Sequence, residues 1–136
     1  RANSIDVNGT LMPQSYYESI INRAKRNSTV VYVAVEPKMR NHTIVRFLRE
    51  RFGAVVLQGT PADDLGVLSR SPVLICSQGT FSWMAAFLSE GRELHLPYIA
   101  GKCEGASWLP WDQLFIHDDP RVVYHDSLNS NKWQTA

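Results

Sequence analysis

The residue types best suited to chemistry stand together at Ser77-Gln78-Gly79-Thr80, between an apolar run, Val73 to Cys76, and a segment with helical spacing, Phe81 to Leu88. The run suits a buried parallel strand, and the small polar residues after it suit a tight turn into a helix. The first N–H groups of such a helix have no internal partner, and the helix dipole favours negative charge there. Ser77 and Thr80 add hydroxyls, Gln78 adds an amide, and Gly79 lets a ligand approach the backbone. The chemistry this points to is a grip on an anion such as a phosphate. The same residues also serve as an ordinary helix cap, so capping and ligand binding both stand at this point.

The elements that must position this corner follow from apolar spacing. Arg1 to Met12 reads as a polar loop with a turn at Asn8-Gly9. Pro13 opens a helix whose stripe is Tyr17, Ile20, Ile21 and Ala24, with Arg23, Lys25 and Arg26 near its end. Thr29 to Val35 is a β-branched strand closed by Glu36-Pro37. A helix from about Met39 or Asn41 to Phe52 faces Ile44, Val45, Leu48 and Phe52 inward and stops at Gly53. Ala54 to Leu57 is a short strand. Thr60-Pro61-Ala62-Asp63 starts a helix that ends by Arg70. On the helix after the corner, Phe81, Met84, Ala85 and Leu88 share a face, and Trp83 and Phe87 are expected in the core. Glu93 to Tyr98 is a further strand. The tail from Ile99 is irregular, with Val122 to Tyr124 as a last edge strand.

Strands alternating with helices imply a mainly parallel sheet with helices on both faces, hence an α/β, Rossmann-like three-layer domain spanning residues 1–136. In such sheets ligands bind beyond the carboxyl ends of the strands. Glu36, Gln58-Gly59 and the Ser77–Thr80 corner all fall at such ends.

Composition narrows the class. A chain of 136 residues forms about one domain with a real core. A net charge of +1 offers no case for nucleic acid or a membrane surface. No apolar run approaches the roughly 18 residues that would span a bilayer. Asn8-Gly9-Thr10, Asn27-Ser28-Thr29 and Asn41-His42-Thr43 are N-glycosylation triplets. They point to a secretory-pathway lumen, such as the Golgi, or else to ordinary turn residues in a cytoplasmic protein. Cys76 reads as a small buried hydrophobe; a Cys76–Cys103 disulfide is the lumenal alternative. No Cys/His spacing resembles a zinc site, and no Asp-x-Asp motif is present. His42, His95, His117 and His125 lack a motif partner, which points to surface or structural roles.

The corner resembles a known family. Asp64-Leu65, Leu68-Ser69-Arg70-Ser71 and Ser77-Gln78-Gly79-Thr80-Phe81-Ser82-Trp83-Met84-Ala85-Ala86-Phe87-Leu88, with Pro97 after the next strand, resemble the C-terminal signature of α1,2-fucosyltransferases. Val31 to Glu36 with Pro37 is similar to a strand of α1,6- and protein O-fucosyltransferases, and Pro13 to Ile20 to the family's Tyr-Tyr helix. The likeness covers about residues 13–98. Gln78 stands where an Asn is usual, Gly79 where a Ser is, and Met84 where a Trp is. The family's first motif, His-x-Arg, is not intact; Arg1 stands where its arginine would be.

The resemblance implies the nucleotide-sugar-binding half of a GT-B glycosyltransferase that takes fucose from GDP-fucose, inverts the anomeric carbon and needs no metal. Ser77, Gln78, Gly79, Thr80 and Phe81 would hold the donor's diphosphate and fucose, together with Arg1. Glu36 would bind ribose or guanine, or else be a solvated turn carboxylate. Asp64 would bind the base, or else simply favour a helix start. The catalytic base is unassigned and is expected on an N-terminal acceptor domain, in the same enzyme or a partner chain. Partners would be the GDP-sugar and a glycan acceptor. Two other readings compete: a non-catalytic binding domain of the same fold, and a hydrolase with Ser77 as nucleophile. The hydrolase lacks a Gly-x-Ser-x-Gly elbow.

Overall fold

A computed structural model describes residues 2–6, 12–24, 30–77, 80–98 and 119–126. In chain order these form β1 (Ala2–Asp6), α1 (Gln14–Ala24), β2 (Val30–Ala34), a 3-10 turn (Pro37–Met39), α2 (Thr43–Phe52), β3 (Val55–Val56), α3 (Pro61–Arg70), β4 (Val73–Ile75), α4 (Thr80–Leu88), β5 (Glu93–Tyr98) and β6 (Val122–Asp126). The strands make one sheet in the order β3-β2-β1-β4-β5-β6, with every neighbouring pair parallel. This is the Rossmann-like α/β domain expected, and the strand order is that of a doubly wound dinucleotide-binding sheet.

Period-2 alternation splits the apolar residues between two layers. Ile5, Val31, Val33, Val35, Val73 and Ile75 face α1 and α2, where they pack with Tyr16, Tyr17, Ile20, Ile21, Val45 and Leu48. Ala34, Leu74, Cys76, Leu94 and Leu96 face α3 and α4, packing with Leu68, Ala85 and Ala86. Helices that lead away from β1 in one direction lie on one face, and those leading through β4 in the other direction lie on the opposite face. Right-handed crossovers require this.

Helix ends follow local chemistry. Thr60 and Asp63 make a reciprocal capping box at α3, with Pro61 in the first turn. His42 caps α2, its Nδ1 accepting from the Ile44 N–H at 3.2 Å. Gly53 ends α2 in the left-handed region at φ 63°.

Two sequence expectations are corrected. The segment from Arg1 to Met12, where the sequence predicts a polar loop, contains β1, a central strand paired on both sides. Its identity comes from ladder hydrogen bonds to β2 and β4 rather than from its own apolar content. The second correction concerns α4, whose buried face is Ser82, Ala85 and Ala86, followed by Ser89. Met84 and Leu88 are 46% and 49% exposed, and Phe87, expected in the core, is 66% exposed. Ala85 and Ala86 pack into the cluster formed by Leu74, Cys76, Leu94 and Leu96, and the large side chains of the helix turn outward; Trp83 stacks on Phe87 with centroids 5.5 Å apart. Among the described residues no helix is long and apolar enough to cross a membrane.

Candidate functional site

Strand order reverses between β1 and β4: β2 and β3 lie on one side of that gap, β5 and β6 on the other. The helices that follow β1 and β4, α1 and α4, pack on opposite faces of the sheet, the arrangement that in such folds places a ligand crevice at the carboxyl edge. The residue after Cys76 enters this edge, so Ser77 stands at the switch point. Glu36 and Gln58-Gly59 lie on the same edge beyond β2 and β3. The three strand ends named from sequence therefore share one edge of the sheet.

The corner is stitched from behind. The Tyr16 hydroxyl donates to the Cys76 carbonyl at 2.6 Å. The Ser77 hydroxyl shares a very short hydrogen bond with the Tyr17 hydroxyl. The Ser77 N–H donates to Ser82 Oγ at 3.2 Å, and the Cys76 thiol donates to the Ser82 carbonyl at 3.5 Å. Ser77 and Ser82 are 2% and 1% exposed. Burial, with the Cys76 and Tyr17 groups adding to it, pushes the Tyr16 phenol well above its ordinary value, so it acts as a neutral donor. Ser77, expected to offer its hydroxyl to a ligand, instead turns that hydroxyl inward to Tyr17. Phe81 is half-buried and packs against the α3/α4 layer. Thr80 opens α4. Arg1, Gln78, Gly79, Asn8, Asn27, Cys103, His117 and the Thr80 side chain lie outside the described residues.

Glu36 is exposed and pairs with Lys38 at 3.3 Å, directly before the 3-10 turn. Asp64, in the first turn of α3, is buried. Burial raises its carboxyl above the ordinary value, the Asp63 carboxylate adds to that, and the Arg40 guanidinium opposes it. Arg40 follows the 3-10 turn and is half-buried, and its Nε has no hydrogen-bond partner among the described residues. Reasoning from sequence passed over Arg40, whose only mark was its place after a strand end. Asn41, the glycosylation candidate within the described residues, is exposed.

A second polar group lies beside the corner, where the Cys76 N–H donates to the His95 carbonyl at 2.9 Å. His95 Nε2 meets Glu93 Oε1 at 2.6 Å, and His95 Nδ1 meets His125 Nε2 at 2.8 Å. A carboxylate only accepts, so His95 donates from Nε2; when neutral it accepts at Nδ1, and His125 then donates from Nε2. Burial lowers the His95 pKa, opposed by its bond to Glu93. Burial, then the His95 and Arg23 charges, lowers His125 to about 4. The Tyr16 ring meets His125 edge-on at 5.6 Å. Both histidines, expected in surface or structural roles, are buried and bonded to each other.

No family model matches the chain, and no curated protein or solved structure matches it either.

Proposed function

We propose that the switch-point corner binds the diphosphate of a nucleotide-sugar, and that the protein is a fucosyltransferase-like glycosyltransferase using GDP-fucose. The observation that carries this reading is the placement of Ser77 and the start of α4 beyond β4, at the reversal of strand order, with Glu36, Arg40 and Asp64 on the same edge. A departing nucleoside diphosphate gains negative charge as the sugar leaves. Amides at a helix start and a guanidinium meet such charge without reorganising. Ser77 anchors the corner, and contact with the ligand falls to the residues after it. Asp64, with two acceptor oxygens, suits a base edge that carries N–H donors, as guanine does. Glu36 suits a ribose hydroxyl. The donor sugar, the inverting course without a metal, the glycan acceptor and the Golgi lumen rest on the sequence resemblance.

Calorimetry with GDP, UDP and ADP on the folded chain tests the reading. Saturable binding that favours GDP supports it, and indifference to all three nucleotides removes it. A second reading, a nucleotide-sugar-binding domain without turnover, draws on one observation: both the hydroxyl and the N–H of Ser77 are already engaged internally. Release of GDP from GDP-fucose in the presence of glycan acceptors excludes it.

A further inference from the structure

Tyr17 lies in the core beside the exit from β4. Its side chain is fully buried, and its hydroxyl meets two segments that belong to no helix or strand. On one side the Met12 N–H, just before α1, donates to the phenol oxygen at 3.2 Å. On the other side stands Ser77, the second residue beyond β4. Met12 follows β1 and Ser77 follows β4 in the chain, so the phenol oxygen touches the connections beyond both strands of the switch point, here its two lips. A phenylalanine would supply the same apolar bulk. The hydroxyl adds a desolvation cost, which its contacts to the two lips help to offset. The neighbouring Tyr16 hydroxyl holds the Cys76 carbonyl one residue earlier, and the two rings meet edge-on at 5.1 Å. Rigid aromatic side chains from the first turn of α1 thus fix the exit from β4 at two consecutive residues.

We infer that the Tyr17 hydroxyl is the positioning group of the corner: it ties Ser77 to Met12, so that the two lips of the crevice hold one geometry and a ligand gripped by one lip also orders the other. This rests on the nucleotide-diphosphate reading for its ligand but not for its mechanics. Removing the hydroxyl leaves Ser77 Oγ without its phenol partner and frees the first amides of α4 to drift. A misplacement of about 1 Å at such a corner is enough to cost a large share of binding.

The test uses Tyr17→Phe, Ser77→Ala and the double variant, each read two ways. Amide hydrogen exchange is expected to quicken in each single variant at residues 77–82 and at Met12, with β2, β5 and α2 unchanged. GDP affinity is expected to fall about tenfold in each single variant, about 1.4 kcal/mol, and little further in the double variant, because both changes break one link. A purely structural tyrosine would lower the melting temperature and speed exchange evenly, with the affinity of the folded fraction intact; that result overturns the inference. Additive losses in the double variant overturn it as well. If the unmodified chain binds no GDP, the functional reading fails while the exchange pattern still decides for or against Tyr17. If Tyr17→Phe does not fold, Ser77→Ala, which deletes the other hydroxyl of the pair, carries the same exchange test.

Discussion

Acid should weaken this protein through His125. An unfolded imidazole takes up its proton near pH 6.5, whereas in the folded chain burial and the neighbouring His95 and Arg23 charges hold His125 down to about 4. Between those values the unfolded state binds more protons than the folded one, so stability falls as pH drops through that window and levels off below it for this group. The lowering from 6.5 to about 4 corresponds to at most about 3.5 kcal/mol, lost at about 1 kcal/mol per pH unit near pH 5. His95 shifts in the same direction and adds to the loss. Asp64, whose carboxyl is raised, works in the opposite sense at the acid end. Asp63 and Asp119 are lowered by hydrogen bonds, to Thr60 and Arg121 respectively, and so act below the ordinary carboxylate range. Urea unfolding at constant ionic strength from pH 7 to 4.5 reads the slope directly. His125→Gln keeps an N–H donor for His95 Nδ1 and removes the titration. The wild-type midpoint should fall steeply below pH 6.5 and that of the variant much less. Parallel curves for the two proteins, or a wild type more stable at pH 5 than at pH 7, would refute the reasoning.

Other perturbations follow from packing. Ala86→Leu, on the face of α4 that lies against the sheet, should cost about 1–3 kcal/mol by overpacking, whereas Phe87→Ala on the outer face should stay within about 0.5 kcal/mol; chemical denaturation compares the two. Gly91→Ala should destabilise strongly, since its Cβ would lie 2.3 Å from the Ser71 carbonyl oxygen and 2.9 Å from that of Pro72; a melting temperature unchanged from wild type would contradict this. Thr60→Ala removes half of the α3 capping box and should cost about 1 kcal/mol, read as a shifted denaturation midpoint.

Much of this architecture was legible because its signals are local. Val31 to Val35 and Val73 to Cys76 are apolar runs that only a covered strand tolerates, and Thr60-Pro61-Ala62-Asp63 is a helix start with a mechanism. β1 was not legible, because Ala2–Asp6 carries one large apolar residue, Ile5, and owes its place to partners 28 and 70 residues along the chain. Without that strand the sequence showed a corner at a strand end, but not that the corner sits where strand order reverses. The orientation of α4 was hidden for another reason. An apolar helix such as Thr80–Leu88 has a weak amphipathic pattern, so large residues were assigned inward. The buried face is instead made by the small residues Ser82, Ala85 and Ala86. The Tyr17–Ser77 and His95–His125 bonds join residues 60 and 30 positions apart. Nothing in either local segment marks such a pairing; the nearest sign was a Tyr-Tyr pair whose buried hydroxyls would need partners.

Backbone amide chemical shifts followed during a GDP titration test the central claim most directly. Saturable changes should gather at residues 77–82, at Glu36 to Arg40 and at Asp64, along the carboxyl edge that flanks the β1/β4 gap. Shifts that never saturate, or that gather at the amino ends of the strands around Ser71 and Arg92, would place any nucleotide elsewhere and contradict the account.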